Sequence, residues 1–260
     1  MSLFKTAIVR MPASNFADGL TSVDLGLPNM DLVMEQHRRY CAALRQCGLT
    51  VTTLEPDERY PDSTFVEDAA ILTERGAVVT RPGADSRAGE PAAIRPVIEK
   101  FFAPSQIVGI EAPGTVDGGD ICEAGEHFFI GVSHRTNYEG AQQLANHLAK
   151  WGYPSEVVDI RGMTSILHLK SGVAYIGENT MVVMEEMAEN PLFAPYERIC
   201  VGANETYGAN CVRVNDRVLV ASGFPGVTAA LAQHGFQPME LDMSEFRKMD
   251  GGLSCLSLRF

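Results

Sequence analysis

Short apolar runs recur along this chain in pairs, each pair split by a tight turn. Asp68-Ala69-Ala70-Ile71-Leu72-Thr73 leads through Glu74-Arg75-Gly76 into Ala77-Val78-Val79-Thr80, which reads as strand, turn, strand. Gly119-Asp120-Ile121-Cys122, a turn at Gly125 and His127-Phe128-Phe129-Ile130-Gly131 repeat the pattern. Ile166-Leu167-His168-Leu169, a Ser171-Gly172 turn and Val173-Ala174-Tyr175-Ile176 give a third pair. Asn210 to Val214, a turn at Asn215-Asp216 and Val218 to Ala221 give a fourth. Ser254-Cys255-Leu256-Ser257-Leu258 closes the series without a partner of its own. Helical stretches are expected near 89–102, 137–150 and 225–234. Before the first pair lie a strand over 5–10, a Gly/Pro/Asn-rich loop, a helix from Asp31 to Cys47 stopped by Gly48, and a β-rich Val51-Thr52-Thr53-Leu54.

The equivalent positions Asp68, Asp120, His168, Cys211 and Cys255 fall at intervals of 43 to 52 residues. A repeat of that period points to a propeller-like architecture. Five units, each a small sheet with a helix, close around a pseudo-fivefold axis, and strand 5–10 completes the last unit. The expected fold is therefore an α/β, five-bladed α/β-propeller of ββαβ-type repeats, with residues 1–260 as a single catalytic domain. A doubly wound sheet is the rival, but its helices follow single strands more often. In the closed ring the five equivalent positions, each at the start of a first hairpin strand, share one axial cavity.

Composition narrows the function. Apolar residues make up 45% of the 260 and charged residues 21%, ordinary for a globular protein. The net charge of −12 argues against nucleic acid as a partner. No run is long enough for a membrane span, and the N-terminus lacks the apolar core of a signal peptide, so a cytoplasmic location is expected. The six cysteines read as reduced thiols. Zinc-finger, HExxH, EF-hand, P-loop and GxGxxG spacings are all missing, so neither a metal nor a nucleotide cofactor is expected. A homodimer stays open.

The candidate chemistry gathers in a few segments. Cys255 follows Asp250-Gly251-Gly252-Leu253-Ser254, and glycines permit unusual backbone angles and close approach to a ligand. A thiol is mostly protonated at neutral pH and needs a base or a positive neighbour. His168, at the recurring phase, is the natural partner. Asp62, Phe65, Glu67 and Asp68 lie within eight residues, and Asp117 and Asp120 flank two glycines. Paired carboxylates suit a planar guanidinium. Arg87 and Arg135 could hold a carboxylate. Each group alone also has a bland reading: a packed thiol, a core histidine, solvated turns and surface arginines. Acids for one end and arginines for the other suggest a zwitterionic amino acid with a cationic side chain.

Eight collinear segments resemble one family. They are Asp18-Gly19-Leu20-Thr21, Pro61 to Asp68, Arg81-Pro82-Gly83-Ala84, Gly114 to Asp120, Arg135-Thr136-Asn137, Leu167-His168-Leu169-Lys170, Ala209-Asn210-Cys211 and Asp250 to Cys255. In these the chain resembles the dimethylarginine dimethylaminohydrolases of the guanidine-modifying superfamily, which are five-bladed α/β-propellers without a cofactor. The resemblance implies hydrolysis of Nω-methylated arginine to citrulline and a methylamine through a covalent cysteine adduct. It implies Cys255 as nucleophile, His168 as general acid and base, and Asp117, at a position where members carry Glu or Asp, as a partner of His168. Asp62, Phe65, Glu67 and Asp68 would contact substrate, with Arg87 and Arg135 on its carboxylate. Leu20 would belong to a lid, and Met249 would offer a backbone carbonyl to the substrate amine. Arginine deiminase, or another hydrolase of the superfamily acting on unmethylated guanidines, is the rival enzyme, although deiminases resemble longer chains with an inserted helical domain. A non-catalytic ribosome-binding factor of the same fold is the rival from another class.

Overall fold

The computed structural model describes residues 3–260, so the first two residues of the expected domain lie outside it. The described residues build five three-stranded sheets. The first comprises β1 (Thr6–Arg10) and, after helix α1 (Met30–Gln46), β2 (Thr50–Leu54). The second is β3 (Ala70–Thr73), β4 (Gly76–Val79), α2 (Glu90–Ile98) and β5 (Ile107–Gly109). The third is β6 (Ile121–Ala124), β7 (His127–Val132), α3 (Tyr138–Lys150) and β8 (Ser155–Asp159). The fourth is β9 (Val173–Gly177), β10 (Thr180–Met184) and β11 (Glu197–Val201). The fifth is β12 (Val212–Val214), β13 (Arg217–Ala221), α4 (Pro225–Gln233) and β14 (Pro238–Leu241). After α5 (Ser244–Arg247), β15 (Leu258–Arg259) returns to pair antiparallel with β1 and completes the first sheet.

Every sheet has the same plan: an inner strand antiparallel to a middle one, and an outer strand parallel to the middle. A crossover of helical character is what a parallel return requires. The inner strands neighbour one another around an axis, β15 beside β3, β6 beside β9 and β9 beside β12. This is the expected five-bladed α/β-propeller. The fourth blade departs from it, because two short 3-10 turns, Glu185–Met187 and Pro191–Phe193, replace the crossover helix.

Local sequence explains the helices that matter here. Asn29 caps α1 by accepting from the Leu32 N–H, and Val33, His37, Tyr40 and Leu44 lie buried along one face. Asn137 caps α3 in the same way, and its Oδ1 also accepts from the Thr115 N–H, tying the helix to the segment before Asp117.

Two expectations need correction. Residues 166–169 are not a strand. The Leu169 N–H donates to the Asp120 carboxylate at 3.0 Å, and the His168 carbonyl accepts from Ser171 in a 3-10 turn. With those groups committed, the segment has no ladder to join. The hairpin of the fourth blade turns instead at Glu178-Asn179, both at positive φ after Gly177. The five recurring positions also precede the inner strands rather than starting them. Asp68, Asp120 and Cys255 sit within 3-10 turns, His168 caps one and Cys211 just follows one. Among the described residues no helix is long and apolar enough to cross a membrane.

Candidate active site

The five 3-10 turns that enter the inner strands meet near the axis. The turn of Asp68 touches those of Cys255 and Asp120, and the turn after His168 touches those of Asp120 and Cys211. Residues far apart in sequence thereby converge, although not all on one cavity. Asp68, His168 and Cys255 line a small cavity together with Leu20, Asp62, Phe65, Arg87, Arg135 and Met249. Cys211 lines a separate axial cavity of about 130 Å³ on the other side of the turns. Asp120 lines neither; fully buried, it accepts from the Leu169 N–H and from Ser133 Oγ, and so anchors the backbone of the His168 segment.

Two more predicted residues stand apart from the cavity. Asp117 is buried behind His168, with its Oδ2 3.1 Å from the imidazole Nε2 and its Oδ1 accepting from the Gly83 N–H. Glu67 turns its carboxylate toward the axial cavity, where it accepts from Lys170 Nζ at 2.6 Å and Ser254 Oγ at 2.8 Å. Leu167, Asp250 and Gly251 line the small cavity and were not singled out as contact residues. Asp250 could have been suspected, since a left-handed residue (φ 56°) before two glycines marks a sharp turn. Leu167 offers no such signal, being one apolar residue among many.

The glycines at the turn are there for space. A Cβ on Gly251 would come within 2.4 Å of the Phe65 ring, and one on Gly252 within 2.5 Å of Asn210 Oδ1. Phe65 is itself wedged edge-on against Phe16 and Phe246 and has no room to yield.

Charge is arranged in layers. Arg87 is buried and donates to Asp68 (2.6 Å), to both oxygens of Glu90 (2.9 and 2.7 Å) and to the Phe65 carbonyl (3.1 Å). Burial alone would raise the Asp68 carboxyl, but Arg87 and His168 outweigh it and hold it down to about 2. Glu90, more dominated by burial, is raised to about 7 despite Arg87. Burial would lower the His168 imidazole; Asp120, Asp68 and Asp117 overcome that and hold it up to about 9. The Cys255 thiol is pushed up to about 12 by burial and by the nearby charges of Glu67 and Asp68. At neutral pH the site therefore rests as an imidazolium beside a neutral thiol.

Asp68, Asp117 and His168 bring donor atoms within 4.8 Å of one another. Their atoms are already engaged. Both Asp68 oxygens accept, from Arg87 Nη1 and the Gly119 N–H, and Asp117 is bonded to Gly83 and His168. A cation there would have to compete with a buried arginine and an imidazolium.

Leu20 forms the roof of the cavity and belongs to the segment 19–27. The segment is latched at four points: the Leu20 N–H donates to both Asp62 oxygens (3.1 and 3.2 Å), Thr21 Oγ1 to the Lys248 carbonyl (3.0 Å) and the Ser22 N–H to Asp250 Oδ2 (2.5 Å), and the Leu27 carbonyl accepts from Lys248 Nζ (3.3 Å). The space beneath it is about 30 Å³. That holds a few water molecules at most, so an amino-acid-sized ligand requires the roof to open or shift. Gly19 is part of this fit, because a Cβ there would lie 2.4 Å from Asp62 Oδ1. Gly19→Ala is expected to displace the Asp62 carboxylate and loosen the latch. The cost is about one charge-assisted hydrogen bond, or roughly a tenfold rise in KM. Steady-state kinetics check this, and an unchanged KM would count against it.

A closed ring of five such blades, gathering a cysteine, a histidine and carboxylates on one face, is the architecture of the arginine deiminase family. The family model described as Arginine deiminase matches residues 58–200. Within that class, the chain is 45% identical over 258 residues to the N(G),N(G)-dimethylarginine dimethylaminohydrolase (DDAH) of Pseudomonas aeruginosa, covering 99% of this chain and 100% of the relative. It is 33% identical to the enzyme of the same name from Streptomyces coelicolor, covering 98% and 96%. A solved structure of a cysteine-to-serine variant of the Pseudomonas aeruginosa DDAH with citrulline superposes with a TM-score of 0.96, covering both chains completely at 45% identity. The N-terminal domain of ArgZ, an arginine dihydrolase, shares the fold at a TM-score of 0.87 and 17% identity over 99% of this chain and 97% of that domain. The chain belongs to the dimethylarginine dimethylaminohydrolase family.

Proposed function

We propose that this protein hydrolyses Nω-methylated arginines, asymmetric dimethylarginine and monomethylarginine, to citrulline and di- or monomethylamine, with Cys255 as the nucleophile. The observation that supports this most is one small cavity where Cys255, His168, Asp62 and Asp68 meet Arg87 and Arg135. That lining suits a molecule with a cationic side chain and an α-carboxylate. The reading takes residues 1–260 as one catalytic domain, acting on a small molecule rather than nucleic acid.

In this reading the guanidinium lies against Asp68, with its central carbon facing Cys255 Sγ. The arriving positive charge lowers the thiol pKa, and the thiol proton is lost to solvent. The thiolate attacks the guanidinium carbon. His168, already an imidazolium, protonates the departing dimethylamine as its C–N bond breaks, leaving an S-alkylthiouronium on Cys255. The now neutral His168 takes a proton from water, and the resulting hydroxide attacks the same carbon. The C–S bond breaks with release of the thiolate, the hydroxyl proton passes to solvent, and citrulline forms. Asp117 fixes the ring of His168 through Nε2, and Arg87 holds Asp68 in place. Met249 and the lid residue Leu20 offer backbone groups beside the substrate's amino-acid end.

The direct test is product analysis. Incubation with asymmetric dimethylarginine is expected to give citrulline and dimethylamine; no citrulline would end the proposal, and a preference for unmethylated arginine would favour a deiminase. The charge state yields a second prediction. With the thiol pushed up to about 12, the rate of alkylation by neutral iodoacetamide should still climb above pH 9. A cationic haloacetamidine should label Cys255 readily at pH 7. An iodoacetamide rate that levels off below pH 8 would mean a preformed thiolate.

A further inference from the structure

The turn that bears Cys255 is gripped from the neighbouring fifth blade by two side chains: the Tyr207 hydroxyl donates to the Gly251 carbonyl at 2.7 Å, and Asn210 holds Ser254. Asn210 follows the 3-10 turn of residues 203–209 and is buried. Its Oδ1 accepts from the Ser254 backbone N–H at 3.0 Å. Its Nδ2 donates to Ser254 Oγ at 3.1 Å and to the Lys170 carbonyl at 2.9 Å. A backbone N–H on one side and a backbone carbonyl on the other fix which way the amide points. Ser254 Oγ passes its own hydrogen to Glu67, which is held in turn by Lys170. One amide thus ties together the turns that follow His168, precede β12 and contain Cys255.

The grip reaches the sulfur. Gly252 packs directly on the Asn210 amide, where even a methyl group would collide. The N–H of that same glycine points to Cys255 Sγ at 3.4 Å. Asn210 therefore sets both the start of the turn, through Gly252, and the residue before the cysteine, through Ser254. It does not line the cavity and touches no substrate position.

We propose that Asn210 is a positioning residue for the known class of reaction: it holds Cys255 Sγ in line with the guanidinium carbon by bonding Ser254 at both its backbone and its hydroxyl. The position needs one acceptor and two donors within a single short side chain, which asparagine supplies and aspartate does not. The inference rests on Cys255 being the nucleophile. Displacing an attacking atom by about 1 Å costs about a hundredfold in rate.

Asn210→Asp keeps the shape and the acceptor but removes both donations. Its kcat for citrulline formation is expected to fall about a hundredfold, with KM within about threefold of wild type. Labelling of Cys255 by a haloacetamidine should slow in parallel. Ser254→Ala removes the hydroxyl's bonds to Asn210 and Glu67 but keeps the backbone bond to Asn210, and should lower kcat about tenfold, again without a matching rise in KM. It decides the matter if Asn210→Asp does not fold. A folded variant with wild-type kcat, or one whose loss is all in KM, overturns the role of Asn210. If wild-type protein is itself not labelled at Cys255, the nucleophile reading fails first and takes the inference with it.

Discussion

Cys255→Ser is expected to stop citrulline formation, lowering kcat by about four orders of magnitude or more. A serine hydroxyl is a far weaker nucleophile than a thiolate and needs a base at the moment of attack. No base is ready. His168 is held up to about 9 by the surrounding carboxylates and enters the reaction already protonated. The bound substrate's charge can deprotonate a thiol, but it cannot bring an alcohol into range. Binding should survive, since the acids and arginines that face the ligand are untouched. Calorimetric titration of the variant with asymmetric dimethylarginine should give normal heats while citrulline assays read background. Turnover within tenfold of wild type would remove Cys255 from the mechanism.

The second large effect is on stability. Arg87→Met leaves Asp68 and Glu90 buried with their shared cation gone, because Arg87 bridges the two with bonds of 2.6 to 2.9 Å. Breaking a buried ion pair from one side costs about 3–5 kcal/mol. For a chain of this size that is a fall of about 10 °C in the unfolding midpoint. Arg87→Lys should recover little of it, since one ammonium cannot reach Asp68, both oxygens of Glu90 and the Phe65 carbonyl together. The deficit should shrink as pH falls. Glu90 is raised to about 7 even with Arg87 present, and without it protonates more readily, leaving a neutral buried acid. Thermal unfolding followed by circular dichroism at pH 6 and pH 8 checks both statements; a midpoint within 2 °C of wild type at pH 8 would contradict them.

Much of this was legible in the sequence because period-2 runs with glycine or acidic turns are local features. The hairpins over 70–79, 121–132 and 212–221 follow from their own residues. So does the spacing that brings Asp68, His168 and Cys255 to one cavity. Of the outer strands only β2, with its β-rich Val51-Thr52-Thr53-Leu54, is legible. Ser155–Asp159 and Glu197–Val201 carry charges and exposed positions and become strands only because a middle strand offers them a parallel ladder. The β composition of Ile166-Leu167-His168-Leu169 predicts a strand at His168, and the competing bond, from the Leu169 N–H to Asp120, spans 49 residues. Glu67 shows the same limit. Beside Asp68 in sequence, it points to the opposite side of the turns, toward Lys170 and Ser254. Asn210 stands out in sequence only as the first residue of the fourth pair and within a resemblance, since nothing in its neighbourhood announces an amide that bonds across two blades.

The sheet shared by β1 and β15 has a consequence for when the thiol becomes useful. Thr6 and Lys5 donate to the Phe260 carbonyl, so residues from opposite ends of the described chain zip together to finish one blade. Cys255 lies just before that zipper, in the turn that enters it. Its alignment with His168 therefore arises in the same act that closes the ring. A nascent or clipped chain lacking the final strand would carry the sulfur but not the enzyme, and chemical competence would report completed folding.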